Sequence, residues 1–134
     1  MVKGASKDSN QDSVSGIDRL LFFILIFFLL THIVACLWIM IPQFYKYDED
    51  QQQFIGTWLE QYSEEMNAKQ LYVLAIYWTI QTITTVGYGD LTITNTLEVI
   101  FCSIIMVAGV ISFSFANGSL TSILSSYDSQ NNAL

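Results

Sequence analysis

The sequence contains few charged residues, and this deficit argues against several classes of protein. Charged side chains make up 13% of the 134 residues, about half the share found in an ordinary soluble domain. Five bases against twelve acids give a formal net charge of −7, whereas a nucleic-acid-binding protein needs a basic face. With one histidine, no Ser/His/Asp set, no metal-spaced Cys/His cluster and no phosphate-binding loop, the sequence is not typical of an enzyme.

Proline and cysteine are also scarce. The only proline, Pro42, follows a long apolar run. The two cysteines, Cys36 and Cys102, both lie in apolar segments, so we expect packed free thiols and no disulfide framework. Hydrophobic residues, in contrast, make up 52% of the chain and are clumped. This distribution indicates a membrane protein.

Two apolar runs are long enough to cross a membrane. Residues 20–41 form a run of 22 residues with two polar interruptions; as a helix it is roughly 33 Å long, against about 30 Å for a bilayer core. Residues 99–116 form a second run without a charge, and Glu98 before it complements the dipole of a helix N-terminus. The patterns predict an outer helix at 20–41 and an inner helix at 96–125.

A third apolar run, residues 71–83, is too short to cross a membrane and leads into a Gly-Tyr-Gly stretch. Runs of this length are typical of re-entrant or interfacial segments. Length alone leaves two interpretations open, a re-entrant helix between the two spans or an amphipathic helix on the membrane surface.

The remaining segments are polar. Residues 1–18 are predicted to be disordered, and residues 126–134 to form a short tail. The loop at 43–68 holds six acids against one base, a formal charge of −5. Three of the five bases lie before or at the start of the first span and two between the spans, so the positive-inside rule favours cytoplasmic termini.

The most informative stretch follows the third run and reads Thr84-Thr85-Val86-Gly87-Tyr88-Gly89-Asp90. A re-entrant chain must satisfy its backbone polar groups away from lipid, and pointing carbonyls at a cation is one solution. Successive carbonyls point the same way only if alternate residues adopt unusual dihedral angles, which Gly87 and Gly89 permit. Thr85 adds a hydroxyl oxygen. Several chains around an axis would then form oxygen cages that replace a hydration shell.

This stretch matches, residue for residue, the Thr-Val-Gly-Tyr-Gly signature of the potassium-channel family, and its role as a selectivity filter is taken from that resemblance. The first span also resembles the fifth helix of the ether-à-go-go and cyclic-nucleotide-gated branch, in His32-Ile33-Val34-Ala35-Cys36-Leu37-Trp38. The resemblance covers nearly all of residues 20–128, but only the pore module of that branch.

The resemblance implies an all-α membrane protein that assembles as a homotetramer, each subunit having an outer helix, a re-entrant pore helix with an extended filter loop, and an inner helix. The expected pore domain, 19–125, comprises the outer helix 20–41, an acidic turret 43–68, the pore helix 71–84, the filter 85–90 and the inner helix 96–125. No stretch repeats arginine every third residue, so we expect no voltage sensor in this chain. Voltage-sensor or cyclic-nucleotide-binding domains would belong to a longer parent protein.

The resemblance also implies the site residues. The filter residues are Thr85, Val86, Gly87, Tyr88 and Gly89, with K⁺, the permeant ion, held at the first four; no cofactor is expected. Filter support is expected from Thr84, Asp90, Gln81, Tyr77 and Trp78, the last two forming an aromatic cuff. Gln81 is expected to hydrogen-bond Asp90, although it could instead face water or a backbone group. Ile93 departs from the family, which often has proline there.

In the inner helix, Gly109 lies 22 residues after Gly87, the position of a hinge glycine in many potassium channels. Close packing against the pore helix is the alternative. Helical spacing puts four residues on one face of this helix, Val110, Phe113, Asn117 and Thr121. We assign this face to the conduction path and expect these residues to line the pore. In the outer helix, His32 is either a proton sensor or a neutral hydrogen-bonding partner of a neighbouring helix.

The function predicted from these features is a potassium-selective pore that conducts K⁺ passively. A weakly selective cation channel and a non-conducting modulatory subunit remain alternatives. The expected partners are further copies of the chain and the lipid bilayer, with no nucleic acid, and the expected location is the plasma membrane. The acidic turret would concentrate cations at the outer mouth, or simply be a solvated loop.

Overall fold

The computed structural model describes residues 2–45, 47–48, 53–62 and 65–132 of the chain. Their regular elements are helices apart from two strands of two residues each, so the predicted all-α class is confirmed. In chain order the elements are α1 (Val2–Met40), a 3₁₀ turn (Ile41–Phe44), β1 (Tyr47–Asp48), β2 (Gln53–Phe54), a second 3₁₀ turn (Trp58–Gln61), α2 (Ala68–Ile83) and α3 (Thr96–Asn132).

Both long helices extend beyond their predicted bounds. The outer helix, predicted at 20–41, is α1 and includes residues 2–18, for which the prediction of disorder is wrong. The inner helix, predicted at 96–125, is α3 and continues through most of the predicted tail 126–134. The polar composition of these ends suggested disorder, but helix propagation adds one hydrogen bond per residue once a long apolar helix has nucleated.

The pore helix, predicted at 71–84, is α2 and starts three residues earlier. Asn67 caps it: its Oδ1 accepts the Gln70 N–H at 3.0 Å, while Gln70 Oε1 accepts the Asn67 N–H at 2.9 Å. This reciprocal capping box satisfies two backbone donors that a helix N-terminus otherwise leaves unpaired. The apolar run alone missed the start because the first turn, Ala68 to Gln70, is mostly polar.

The acidic loop at 43–68 contains several short regular elements. It contains part of the first 3₁₀ turn, the second 3₁₀ turn and the β1–β2 pair, which runs antiparallel with Tyr47 opposite Phe54. Pro42 stands in the first turn of the 3₁₀ segment that ends α1, where a missing N–H is tolerated. The acids Glu49, Asp50 and Glu64 of this loop lie outside the described residues.

The chain forms two compact units, Met1–Phe28 with Ser114–Leu134, and Leu29–Phe113. In the first unit, α1 and α3 approach each other where a Cβ added at Gly16 would lie 3.8 Å from Ile123 Cγ2. The second unit contains the hydrophobic core and the whole 84–90 stretch. Within the described part of the chain, two segments are long and apolar enough to cross a membrane, Val14–Phe44 and Thr96–Ser129.

Three tryptophans organise the core of the second unit. The ring of Trp38, fully buried on α1, lies nearly parallel to that of Trp78 on α2 (4.2 Å between centroids, 10°) and to that of Trp58 (5.1 Å, 7°). The Trp58 Nε1–H also donates to the backbone oxygen of Trp38 at 3.1 Å. Aromatic pairs of this kind add roughly 0.5–1.5 kcal/mol each beyond area burial. They hold α1, the acidic loop and α2 together.

Candidate functional site

The filter loop, residues 84–90, has an unusual backbone. Thr85, Gly87 and Gly89 adopt positive φ angles of 65°, 57° and 72°. The prediction of unusual dihedral angles at the two glycines is therefore confirmed. The sequence did not indicate the positive φ of Thr85. A β-branched residue in this conformation is strained by about 1–3 kcal/mol and must be held by its surroundings.

Gln81, in the last turn of α2, binds backbone amides of this loop through both its carbonyl and its side chain. Its carbonyl oxygen accepts the Val86 N–H at 2.9 Å and the Gly87 N–H at 3.1 Å, and its side-chain Oε1 accepts the Tyr88 N–H at 2.8 Å. Among the described residues, no backbone hydrogen bond reaches the carbonyls of residues 85–88. The amides of Val86, Gly87 and Tyr88 are thus all satisfied by Gln81, and the carbonyls of residues 85–88 are left available to a cation.

The other end of the loop is anchored through Asp90. Gln81 Nε2–H donates to Asp90 Oδ1 at 2.9 Å, which confirms the predicted hydrogen bond, and the Tyr77 hydroxyl donates to Oδ2 at 2.7 Å. These two bonds, first that from Gln81 and then that from Tyr77, hold the pKa of Asp90 below its ordinary value. They favour the ionised carboxylate, which accepts both donors.

The remaining support residues take different positions. Trp78 packs against Trp38 in the core, with 5% of its surface exposed. Of the aromatic pair, Tyr77 therefore contacts Asp90 and Trp78 contacts the outer helix. The Thr84 hydroxyl donates to the Ile80 carbonyl at 2.7 Å, which caps the end of α2. A cuff around the filter stays a prediction for this pair.

Gly109 lies against the pore helix. A Cβ added there would stand 3.0 Å from the Cα of Ile83 and 3.4 Å from its carbonyl oxygen. Close packing, the alternative to the hinge, is therefore present at the residue that ends α2. The hinge stays a prediction.

The predicted pore-lining residues divide between the two units: Val110 and Phe113 belong to one, Asn117 and Thr121 to the other. Val110 is half exposed, and Phe113 is less exposed. In the other unit the Thr121 hydroxyl donates to the Asn117 carbonyl at 2.8 Å, within the helix. Their place along a conduction path stays a prediction.

His32 is connected to α2. Its Nδ1 lies 2.5 Å from the Tyr72 hydroxyl, and its Nε2 lies 3.8 Å from Sγ of Cys36. This hydrogen bond between α1 and α2 agrees with the expectation that His32 is a hydrogen-bonding partner of a neighbouring helix. Cys36 and Cys102 are both free.

Glu98, which the sequence indicates only as a favourable charge in the first turn of α3, is completely buried. It accepts hydrogen bonds from the backbone of Trp58 and of Thr94, which joins the acidic loop to the segment after the filter. The only sign of this role in the sequence is an acid directly before a long apolar run. Its partners lie up to 40 residues away and could not be identified from the sequence.

Comparison with known proteins places this arrangement in a family. A family model described as ion channel matches residues 33–126, which include α2, the filter loop and most of α3. The chain is 31% identical over 97 residues to Potassium channel AKT2/3 of Arabidopsis thaliana, covering 71% of this chain and 11% of that protein. It is 27% identical over 125 residues to Potassium voltage-gated channel unc-103 of Caenorhabditis elegans, covering 81% and 14% respectively.

A third relative is Voltage-gated delayed rectifier potassium channel KCNH8 of Mus musculus, 24% identical over 111 residues, with 73% of this chain and 10% of that protein covered. The chain therefore spans only a tenth to a seventh of the length of these curated relatives. The matched family consists of ion channels and not of enzymes, and together with the two long apolar helices it indicates an integral membrane protein. The resemblance to a potassium-channel pore module of the ether-à-go-go branch is confirmed, and the chain belongs to the ion channel family.

Proposed function

We propose that four copies of this chain form a potassium-selective pore that conducts K⁺ passively across a membrane. The observation that carries the proposal is the filter backbone, in which positive φ alternates at Thr85, Gly87 and Gly89 while the amides between them bond to Gln81. This alternation turns successive carbonyls toward one side, which is the arrangement that replaces a hydration shell. The names of the relatives, all potassium channels, support the choice of ion.

In this proposal K⁺ is the cargo. It exchanges its water for the carbonyls of Thr85, Val86, Gly87 and Tyr88 and for the Thr85 hydroxyl. Ions then move by displacement between adjacent sites, because each site binds well enough to admit an ion and weakly enough to release it. The C-terminus of α2 immediately precedes the filter, so its partial negative charge favours a cation near the inner end of the filter.

The wider architecture follows from the same proposal. The face of α3 that contains Val110, Phe113, Asn117 and Thr121 lines the path on the inner side. Both termini are cytoplasmic, the acidic 43–68 loop surrounds the outer mouth, and the plasma membrane is the site of action. Because the loop carries a formal charge of −5 per chain, it raises the local cation concentration most strongly at low salt.

Ion flux in liposomes tests this function. Purified protein is reconstituted and given first a potassium gradient and then a sodium gradient, and we expect potassium flux without sodium flux. Gly87→Ala should abolish the flux because φ at Gly87 is +57° and an alanine there is strained. Gly118→Ala is the matched control: Gly118 has open space at its Cβ and no positive φ, so its alanine adds the same methyl group without backbone strain.

Each alternative has its own outcome. Comparable flux of both ions indicates a weakly selective cation channel. No flux from a verified tetramer, and none after Phe113→Ala and Thr121→Ala widen the path, contradicts conduction and favours a non-conducting subunit. Equal loss in Gly87→Ala and Gly118→Ala would mean that an added methyl group in general, and not the filter backbone, explains the effect.

A further inference from the structure

Glu98 is a buried acid with an organised set of donors. Its side chain has no exposed surface. Oε1 accepts the Trp58 N–H at 2.9 Å, and Oε2 accepts the Thr94 N–H at 3.1 Å and lies 3.4 Å from the Thr94 hydroxyl. Burying a carboxylate is costly unless donors satisfy it, and here two backbone amides and the N-terminus of α3 do so. Such an arrangement holds both amide-bearing segments in place.

Asn95 strengthens the same junction. Its Oδ1 accepts the Glu98 N–H at 2.8 Å, which caps α3, and its Nδ2–H donates to the Gly56 carbonyl at 2.9 Å. Asn95 and Glu98 therefore contact the acidic loop at two points two residues apart, Gly56 and Trp58. We call the four residues Gly56, Trp58, Asn95 and Glu98 the clasp.

The clasp lies between the buried tryptophan core and the filter. On one side, Trp58 stacks on the fully buried Trp38 of α1 and donates to its backbone. On the other side, Thr94 is the fourth residue after Asp90, and Leu91 between them is 6% exposed in the core. Ile93 lacks the ring that would fix φ in this segment, so its path depends on core packing and on the hydrogen bonds of the clasp.

We propose that Glu98 is a positioning residue for the filter. By holding Thr94 to the acidic loop, it fixes the segment that leaves the filter, and so keeps Asp90 and the outer end of the filter in the conducting arrangement. The inference rests on the proposed function, since it assigns the clasp a role in conduction. It also makes a prediction about the filter amides that does not depend on conduction.

The test compares Glu98→Gln with Glu65→Gln. Both changes neutralise one acid, but Glu65 is an exposed residue of the acidic loop outside the clasp. In channels opened continuously in planar bilayers, E98Q should speed the decay of potassium current roughly tenfold, the effect of weakening one bond to a charged group. Raised external K⁺ should slow that decay, because K⁺ binds only the conducting arrangement. E65Q should decay like the original protein.

Amide hydrogen exchange on the whole chain separates positioning from local stability. E98Q should speed exchange at Trp58 and Thr94 by roughly 10- to 100-fold. If the clasp positions the filter, exchange at Tyr88, whose N–H bonds to Gln81, should also quicken, whereas a purely local role would leave Tyr88 unchanged. Unchanged exchange at Tyr88, or unchanged current decay in a conducting channel, overturns the proposal.

Two further outcomes remain distinguishable. If the original protein conducts no potassium, the proposed function fails, and the Tyr88 amide alone decides the positioning role. If E98Q does not assemble, Asn95→Asp replaces it: this change keeps the capping oxygen for Glu98 N–H but removes the donor to Gly56. It should move current decay and Tyr88 exchange in the same direction as E98Q, and an effect confined to Gly56 and its neighbours refutes the inference.

Discussion

Replacing Gly109 with alanine tests which role this residue has in the inner helix. The added Cβ would meet backbone atoms, the Cα of Ile83 at 3.0 Å and its oxygen at 3.4 Å, so no rotamer change can relieve the contact. Ile83 ends α2 two residues before Thr85, and the next residue is tied back to Ile80 by both its N–H and its hydroxyl. The end of the pore helix must therefore move by a few tenths of an ångström.

The size of the effect follows from a matched pair of variants. Glycine to alanine within a helix gains about 1 kcal/mol of intrinsic propensity, while overpacking a tight site costs roughly 1–3 kcal/mol. Gly118, on the same helix, has nothing within 4 Å of an added Cβ, so Gly118→Ala should gain the propensity without the clash. The difference between the two variants cancels the propensity, and Gly109→Ala should be about 1–3 kcal/mol less stable than Gly118→Ala.

The assay is reversible unfolding in detergent followed by circular dichroism, with flux measured on the same preparations. Packing predicts a lower unfolding free energy for Gly109→Ala and a disturbed filter, seen as reduced potassium flux. If Gly109→Ala is at least as stable as Gly118→Ala, the packing argument is refuted. Altered opening without any loss of stability would then favour the hinge.

Further predictions concern the filter anchor, the core and the acidic loop. In Gln81→Leu, Asp90 loses a donor and its pKa should rise. In the original protein the hydrogen bonds to Asp90 lower its pKa, so they are present above the ordinary pKa of an aspartate and are lost only as the pH falls through the lowered pKa. The variant should therefore lose current at a higher external pH than the original protein, and identical pH titrations would contradict this. Trp78→Leu should destabilise the chain by roughly 2–4 kcal/mol in the same unfolding assay, through a cavity beside Trp38; a change under 1 kcal/mol would mean that the site collapses without cost. Neutralising three acids of the loop, Asp48, Glu49 and Asp50, should lower conductance mainly at low ionic strength. An equal effect at all salt concentrations would show that the electrostatic field of the loop does not affect conduction.

Much of the site was predictable because its signals are local. Gly87 and Gly89 are spaced for alternate positive φ, and both adopt it. Gln81 and Asp90 were paired by resemblance and lie 2.9 Å apart. The ends of the helices were harder to predict, since composition describes how polar a segment is and not whether a helix that has already nucleated continues through it.

What the sequence determined by itself is the set of elements: two long apolar helices, a short one between them, and a filter loop whose glycines permit the necessary backbone. Hydrophobic length and glycine freedom are properties of neighbouring residues, so the sequence displays them directly. The tertiary structure alone decided the contacts between distant residues: Gly109 against Ile83, Tyr77 on Asp90, and Glu98 beneath Trp58. Such contacts depend on how helices cross and which donor faces which acceptor, and residues up to 40 positions apart carry no local trace of that geometry.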